Sequence, residues 1–209
     1  MTIAANSSRT RGTDKREEVL QIASETFLAK GFDGTSINVM AREAGISKES
    51  IYRYFGSKED LFLSVIQREL AVYKEGMAET GSHFEGKNLK EALFLIADAT
   101  LRTASNNRTL AFRRLVFQMT ASDSKIGHHY FQAGPDVAYQ NLLNVFTHYN
   151  PESDFSFEKL SRYFIGMVLH RPMLSRECGI MDPMSPEEIQ QWCKEVVEDF
   201  CKAFCKDQG

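Results

Sequence analysis

The sequence lacks any long hydrophobic run. No stretch of its 209 residues approaches the roughly 20 consecutive apolar residues that a membrane-spanning helix needs. The first 18 residues, MTIAANSSRTRGTDKREE, also lack the apolar segment of a secretory signal peptide. We therefore expect a soluble protein that works in the cytoplasm and has no membrane partner.

Cysteine is scarce and lacks the spacing of a metal site. All four cysteines lie late in the chain, and no two form a Cys-x-x-Cys pair. Without a signal peptide, thiols normally stay reduced, so we expect structural, partly buried side chains. A redox or metal role is the alternative. The four residues are Cys178, Cys193, Cys201 and Cys205.

An excess of positive charge, a common mark of nucleic-acid-binding proteins, is also missing. The formal net charge is -3. Residues 1–58 contain nine Lys and Arg and seven Asp and Glu, which leaves about +2 for this segment and about -5 for the remainder. Any affinity for DNA must therefore depend on a local basic patch rather than on the field of the whole protein.

No arrangement of residues typical of catalysis is visible. The sequence has no paired carboxylate site, no nucleophile elbow and no phosphate-binding loop. His128 and His129 are metal-binding residue types, but adjacent side chains on a helix point apart, which disfavours a shared metal. We therefore expect a protein that is not an enzyme and that holds no metal or cofactor.

Helical periodicity is present along the chain, and the alternation typical of strands is absent. The composition, 43% hydrophobic and 25% charged, is that of an ordinary globular protein. The length suits one large domain, or a small domain joined to a larger one. The pattern predicts eight to ten helices and an all-α fold.

Local signals predict several helix boundaries. Asn88 with Glu91, and Ser185 with Pro186 and Glu188, have the spacing of helix N-terminal caps.

Other boundaries rest mainly on composition. A polar arm of residues 1–12 is expected to be disordered. The first helix is expected to begin near Asp14, because Asp14 and Glu17 have the spacing of a capping box. Gly-rich residues 76–88 suggest a loop. Pro172 should kink or end the helix in which it lies, because proline lacks the backbone N–H that a helix uses.

The segment Thr35–Lys58 has the pattern of a helix-turn-helix. Gly45 stands where a helix ends in a left-handed residue, and Ser47 can cap the next helix. Ile51 and Phe55 lie four residues apart and give that helix an apolar inner face. The outward residues are polar or aromatic, which suits phosphates and base edges in a DNA major groove.

This segment resembles the TetR family of bacterial transcriptional regulators. The resemblance covers roughly residues 14–62, and the rest of the chain is similar only in length and helical character. The spacing over about 45 residues is far more specific than that of a generic helix-turn-helix. The matching residues are Gly31, Thr35, Ser36, Ala41, Ala44, Gly45, Ser47, Tyr52, Tyr54, Phe55, Lys58 and Leu61.

The resemblance implies a fold and a set of domains. A three-helix DNA-binding domain at residues 13–57 would follow the arm of residues 1–12 and precede a larger helical ligand-binding and dimerisation domain at 58–209. The protein would be a homodimer that binds double-stranded operator DNA of approximate two-fold symmetry. A small-molecule effector of unknown identity would control this binding.

The resemblance also implies which residues contact DNA. Thr35 and Ser36 match residues that grip phosphate, and Tyr52, Tyr54 and Lys58 match backbone contacts. The remaining recognition-helix residues lie where they can reach bases. The full predicted set is Thr35, Ser36, Ser47, Lys48, Glu49, Ser50, Tyr52, Arg53, Tyr54 and Lys58.

Glu49 departs from the family pattern, which usually has Gly or another small residue at this position. Its carboxylate could accept a hydrogen bond from a cytosine amino group, pair with Lys48 or Arg53, or repel phosphate. The sequence leaves these three roles open.

The predicted ligand and dimer contacts are less specific, because each residue could equally be ordinary core. The ligand candidates are Phe94, Phe112, Phe117, Met119, Tyr130, Phe131, Tyr139, Phe164, Met167 and His170. The dimer candidates, on the last two predicted helices, are Phe164, Val168, Ile189, Trp192, Val196, Phe200 and Phe204.

The leading hypothesis is a ligand-responsive repressor released from its operator by a small molecule. One alternative is a helical enzyme or small-molecule carrier that has kept the helix-turn-helix shape without DNA function. Another is an architectural or activating DNA binder without ligand control.

Overall fold

The computed structural model describes residues 4–82, 86–121 and 124–206, with side chains described in 15–71, 86–121 and 124–206. These ranges contain ten α-helices and no strand, which confirms the predicted all-α class. None of the described helices is long and apolar enough to cross a membrane. The helices are α1 (Ala4–Lys30), α2 (Ile37–Glu43), α3 (Lys48–Phe55), α4 (Lys58–Ser82), α5 (Leu89–Ser105), α6 (Asn107–Thr120), α7 (Ser124–Ala133), α8 (Pro135–Tyr149), α9 (Phe157–Glu177) and α10 (Pro186–Phe204).

The helix starts predicted from the capping residues Asn88 and Ser185 are confirmed. Asn88 Oδ1 accepts the N–H of Glu91 at 3.0 Å, and the Glu91 carboxylate accepts the N–H of Asn88 at 2.8 Å. Ser185 and Glu188 form the same pair of bonds before α10, with Pro186 at its first position. These reciprocal bonds satisfy backbone N–H groups that a helix leaves unpaired at its start.

Two helix boundaries predicted from the sequence are wrong, and Pro172 does not end its helix. α1 begins at Ala4 rather than near Asp14 and so includes residues 4–12 of the predicted arm, because an established helix extends by one hydrogen bond per added residue. α4 continues through residues 76–82, where we expected a loop, since each Gly lowers helix stability by only about 1 kcal/mol. α9 passes the buried Pro172 and ends at Glu177, because burial of its apolar face outweighs one lost hydrogen bond. Of the two effects predicted for Pro172, the helix end is therefore wrong, and a kink stays a prediction.

The chain forms two compact units. Unit 1 comprises Met1–Leu70 and Phe112–Tyr130, and unit 2 comprises Ala71–Ala111 and Phe131–Gly209. The division passes through three helices and therefore does not locate a domain boundary. The predicted domain limits, 13–57 and 58–209, stay a prediction.

An aromatic cluster forms the centre of unit 1. The fully buried ring of Phe62, on α4, lies 5.1 Å from the ring of Phe27 on α1 and 5.5 Å from that of Phe32. Phe112 contacts the same ring at 6.4 Å. Phe32 therefore folds back onto the core after Gly31, and the cluster fixes α1 against α4.

Polar contacts add to the connection between α1 and α4. Ser24 donates to Glu69 Oε1 at 2.7 Å, and Arg68 Nη2 donates to Gln21 Oε1 at 2.6 Å. Arg68 also forms an ion pair with Glu17. These bonds give α1 a defined register along α4, which hydrophobic contacts alone specify less strictly.

The core of unit 2 is built from α5, α8, α9 and α10. α10 packs against α5 and α9, and α8 packs against α5 and α9. At the centre, the buried ring of Phe200 lies 5.0 Å from that of Phe164 and 5.9 Å from that of Phe146. The apolar stripe of α10 is therefore largely covered by helices of its own chain.

Three of the four cysteines are buried or half-buried, as the predicted structural role requires, whereas Cys178 is not. All four are unpaired; Cys178 is exposed, Cys193 and Cys201 are buried, and Cys205 is half-buried. Burial raises the pKa of Cys193 to about 12, and the nearby Asp98 carboxylate adds to this increase. In the described part of the chain, no cluster of three or more His, Cys, Asp or Glu residues is placed to hold a metal ion.

We expect the exposed Cys178 to be alkylated much faster than the buried Cys193 when the native protein is treated with iodoacetamide at about pH 8. Cys193 should react on the order of a thousandfold more slowly than a free thiol, because the thiolate fraction falls tenfold for each unit by which the pKa is raised. Mass spectrometry of tryptic peptides over time measures both rates. In denaturant the two rates should converge, and equal rates in the native state would contradict the burial of Cys193.

Candidate nucleic-acid interface

The turn between α2 and α3 is closed by backbone hydrogen bonds. Gly45 has a φ of 64°, in the left-handed region that Gly adopts without steric cost. The N–H of Gly45 donates to Arg42 O at 3.2 Å, and the N–H of Ile46 donates to Ala41 O at 3.0 Å. Ser47 then caps α3 by accepting the N–H of Ser50 at 3.2 Å. The predicted turn and cap are both confirmed.

α3 has one buried face and one exposed face. Ile51 is fully buried and Phe55 is 7% exposed, so both belong to the core of unit 1. The opposite side of α3 carries two half-buried residues, Ser50 and Tyr54, and four exposed ones: Lys48, Glu49, Tyr52 and Arg53. The structure therefore brings the predicted reading residues onto one solvent-facing surface, which we call the α3 outer face.

Aromatic rings position the two cations of α3, Lys48 and Arg53. Lys48 Nζ lies 5.6 Å from the centre of the Tyr52 ring, and Arg53 Cζ lies 5.8 Å from that of Tyr54. Arg53 Nη2 also donates to Ser50 Oγ at 3.4 Å. Such contacts restrict long flexible side chains before DNA arrives, which lowers the entropy lost on binding.

Lys58 is positioned in the same way at the start of α4. Its ammonium lies 4.4 Å from the centre of the Phe32 ring, and the side chain is half-buried. The ring therefore holds the positive charge near the C-terminal end of α3, where the family pattern has a DNA-backbone contact.

The side chains of Thr35 and Ser36 differ in how accessible they are to a DNA phosphate. Thr35 is 5% exposed, and its hydroxyl donates to Gly31 O at 2.7 Å, so this side chain stabilises the turn before α2. Ser36 is exposed at the N-terminus of α2, and its side chain makes no capping bond with the helix it precedes. Phosphate binding by these two residues stays a prediction.

Glu49 keeps its charge to a lower pH than an ordinary glutamate. Its pKa is lowered, first by a hydrogen bond from its own backbone N–H, then by the Ser47 hydroxyl, with a smaller contribution from the charge of Lys48. The carboxylate is fully exposed. It therefore adds a permanent negative charge to the α3 outer face at neutral pH.

Two residues of α1 support the motif and were not predicted from the sequence. Lys15 Nζ donates to Ala44 O at 3.2 Å, at the C-terminus of α2. Arg16 Cζ lies 4.9 Å from the centre of the Phe55 ring. Both contacts join residues far apart in the chain, so no local pattern could have indicated them.

The predicted ligand residues are divided between the two units. In unit 1, Phe112, Met119 and Tyr130 are buried, whereas Phe117 is 58% exposed. In unit 2, Phe164 is buried in the core. Phe94, Tyr139 and Met167 are half-buried, and Phe131 and His170 are exposed. A ligand pocket that uses all ten stays a prediction.

Five of the seven predicted dimer residues are already buried within one protomer. The exposed fraction is 7% or less for each of Phe164, Val168, Ile189, Val196 and Phe200. Trp192, whose Nε1 donates to Val168 O at 3.0 Å, and Phe204 are half-buried. Only these two retain area for a partner, because α5, α8 and α9 cover the rest of the apolar stripe.

An exposed aromatic cluster lies beside Phe204. The ring of Phe204 is 5.6 Å from that of Phe155 and 5.5 Å from that of Tyr163. Phe155 is 37% exposed and Tyr163 is 41% exposed. These two residues, which the dimer prediction did not include, offer more apolar surface than the buried members of the predicted set.

The chain is similar in sequence to helix-turn-helix regulators of Bacillus subtilis (strain 168). It is 25% identical to the transcriptional regulator YdgC over 192 residues, which cover 85% of this chain and 89% of YdgC. It is 27% identical to the regulator YerO over 134 residues, which cover 63% of this chain but only 46% of YerO. The similarity to YdgC therefore includes both units, whereas the match to YerO spans less than half of that protein.

Solved structures share the fold. A TetR-family transcriptional regulator from Mesorhizobium loti MAFF303099 superposes with a TM-score of 0.84 at 22% identity, covering 94% of this chain and 99% of that one. The flavonoid-responsive regulator FrrA superposes with a TM-score of 0.76 at 24% identity, covering 92% and 98%. At these identities the similarity shows a common fold.

Two family models match the chain. The model of bacterial regulatory proteins of the TetR family matches residues 19–65, which include the helix-turn-helix. The model of the AefR-like transcriptional repressor C-terminal domain matches residues 91–206, more than half of the chain. With the α3 outer face and the shared fold, these matches make the protein a DNA-binding transcriptional regulator rather than an enzyme, and it belongs to the TetR family.

Proposed function

We propose that this regulator is a repressor that binds a near-palindromic operator as a homodimer and is released by a small molecule. The observation that carries the proposal is the α3 outer face. It presents Lys48 and Arg53 on a helix whose opposite side is anchored in the core. A helix fixed in this way can enter a major groove without losing its own packing.

The repressor role is supported by the C-terminal domain. Its matching family model is described as the C-terminal domain of an AefR-like transcriptional repressor. A protein that occupies an operator blocks RNA polymerase without a further protein. A DNA-binding domain and a ligand-binding domain are therefore sufficient for repression. The α3 outer face is compatible with repression. We also propose a cytoplasmic location, where a repressor has access to DNA.

Dimer formation is supported by the exposed aromatic cluster. The exposed rings of Phe155 and Tyr163 pack against each other and against the half-buried ring of Phe204 in unit 2. A homodimer presents two copies of α3, and two-fold symmetry then requires an operator with two inverted half-sites. Burial of these rings by a second protomer removes apolar surface from water.

Control by a small molecule is supported by a structural relative. FrrA, which shares this fold, is described as flavonoid-responsive. For the present chain we propose an effector that is mainly apolar, because the candidate residues are largely aromatic. The coupling is reciprocal: an effector that prefers the DNA-incompetent state weakens DNA binding by the same factor by which DNA weakens effector binding.

The experiment that tests the proposal is a titration of DNA from upstream of the protein's own gene, read by fluorescence anisotropy. We expect a complex whose affinity falls roughly a thousandfold or more between about 50 and 200 mM salt, because Lys and Arg release counterions from several phosphates. DNA of the same length and composition in scrambled order is the control. No complex at any salt, from protein whose helical circular dichroism is intact, would contradict DNA binding.

Oligomeric state and effector response are measured on the same sample. Light scattering should give twice the mass of one 23.8 kDa chain. A thermal-shift screen with apolar and cationic compounds should find ligands that raise the melting temperature, and a true effector should also dissociate the complex. Specific binding that no stabilising compound weakens would contradict release by a small molecule and favour a DNA binder without ligand control.

A further inference from the structure

Glu49 is the one acidic side chain on the α3 outer face. It lies in the first turn of the helix, between Lys48 and Ser50, and its carboxylate is fully exposed. A carboxylate is an unfavourable group to bring toward the negatively charged DNA backbone. Its position in the centre of a basic and aromatic surface therefore requires a role that offsets this repulsion.

Ion pairing does not neutralise this carboxylate. The ammonium of Lys48 lies against the Tyr52 ring, and the guanidinium of Arg53 lies against the Tyr54 ring and bonds Ser50. Within the described side chains, Glu49 takes part in no ion pair. Glu49 therefore forms no salt bridge with Lys48 or Arg53, which was one of the three roles left open by the sequence.

The chemistry of an unpaired carboxylate defines what it can read. An ionised carboxylate only accepts hydrogen bonds. In the major groove, guanine presents the acceptors N7 and O6 and thymine presents O4, whereas cytosine presents the N4 amino donor. Adenine presents the N6 donor beside the N7 acceptor, so the second carboxylate oxygen would face a lone pair. Cytosine is thus the base that satisfies Glu49 without repulsion.

We propose that Glu49 is a specificity-determining residue that selects cytosine at one position of each operator half-site. The proposal depends on the proposed operator binding, and it assigns to this chain a preference that the small residue usual in the family does not provide. Glu49 lies in the first turn of α3, on the exposed face that carries Lys48 and Arg53. Because the carboxylate is exposed, its oxygens are accessible to a donor on a base.

A structural role makes different predictions. A negative charge in the first turn of a helix stabilises the helix through its dipole. If this were the whole role of Glu49, its replacement would lower stability and leave base preference unchanged. The two roles are therefore separated by measuring preference and melting temperature on the same variants.

The test is selection from a randomised operator library by the full-length wild type, Glu49→Gln and Glu49→Ala. Wild type should prefer cytosine roughly tenfold over guanine and thymine at one position. Glu49→Gln should move this preference toward adenine, because an amide bonds adenine N6 and N7 together. Glu49→Ala should lose the preference. Glu43→Gln, an exposed change at the end of α2, is the matched control and should behave as wild type.

The outcomes separate the inference from the proposed function. If wild type selects a site but both Glu49 variants select the same bases at every position, the inference is wrong and operator binding stands. A change of melting temperature without a change of preference leads to the same conclusion. If folded wild type enriches no sequence, the proposed operator binding fails, and the inference fails with it.

Discussion

Phe62→Ala should lower the free energy of unfolding by about 3–5 kcal/mol, the usual range for removing a fully buried phenylalanine. The Phe62 ring is completely buried and contacts the rings of Phe27, Phe32 and Phe112. Truncation removes these contacts and leaves a cavity that three large rings cannot easily fill. Urea unfolding followed by circular dichroism gives the change, and loss of operator binding at growth temperature should accompany it.

Phe117→Ala is the matched control for this prediction. It is the same substitution in unit 1, but the Phe117 ring is 58% exposed and contacts the ring of Tyr130. We expect a loss of less than about 1 kcal/mol, because little apolar area leaves the interior. Equal losses for the two variants would mean that the aromatic cluster around Phe62 does not form the centre of unit 1.

The contrast between the two phenylalanines shows what the sequence can and cannot predict. Both residues lie in helices with clear apolar periodicity, and Phe117 was a candidate for the ligand pocket. Periodicity indicates which face of a helix is apolar, but it does not indicate which members of that face another helix covers. Burial is decided by packing between segments far apart in the chain, as for Phe62 and Phe112.

Helix ends were predictable where a side chain closes them. Asn88 with Glu91 and Ser185 with Glu188 form bonds within four residues, so the sequence contains everything that these caps need. The start of α1 and the passage of α9 through Pro172 were not predictable in this way. They depend on cooperative extension and on burial, which override local preferences of about 1–3 kcal/mol.

The dimer prediction shows a related limit. An apolar stripe on a C-terminal helix is equally suited to the core of its own chain and to a partner. For Ile189 and Phe200 the structure places the side chain in the core of unit 2. Phe155 lies in the loop before α9, where no periodicity singles it out. Tyr163 belongs to the periodic residues of α9, but periodicity did not show that its ring stays exposed.

The candidate DNA site was the most predictable part of the molecule, because it is local. The inward direction of Ile51 and Phe55 follows from their spacing of four residues, and the outward direction of the polar residues then follows from the helix. The contacts between cations and aromatic rings are of two kinds, local ones that the sequence could indicate and distant ones that it could not. Lys48 over Tyr52 is again a spacing of four, whereas Lys58 over Phe32 joins distant positions and became visible only in the structure.

Arg53→Ala should weaken binding to the operator by roughly tenfold to a hundredfold, while binding to unrelated DNA changes much less. The expected loss is about 1–3 kcal/mol, because the guanidinium can bond two acceptors of one guanine. Arg53 is exposed and already oriented by Tyr54 and Ser50, so little order is lost on binding. Titrations against the operator and against scrambled DNA give the ratio of the two affinities.

Lys58→Ala should weaken DNA binding without changing the preference for the operator, in contrast to Arg53→Ala. An ammonium held over the Phe32 ring can contact phosphate but reads no base, so its loss should weaken binding to both DNAs by a similar factor. The slope of log affinity against log salt should become shallower by about 1. Arg53→Lys completes the comparison, since it keeps the charge and removes the planar fork: the salt slope should stay and the base preference should be lost. If Arg53→Ala weakens operator and scrambled DNA equally, Arg53 is a backbone contact, and the reading of bases passes to Lys48, Glu49 and Ser50.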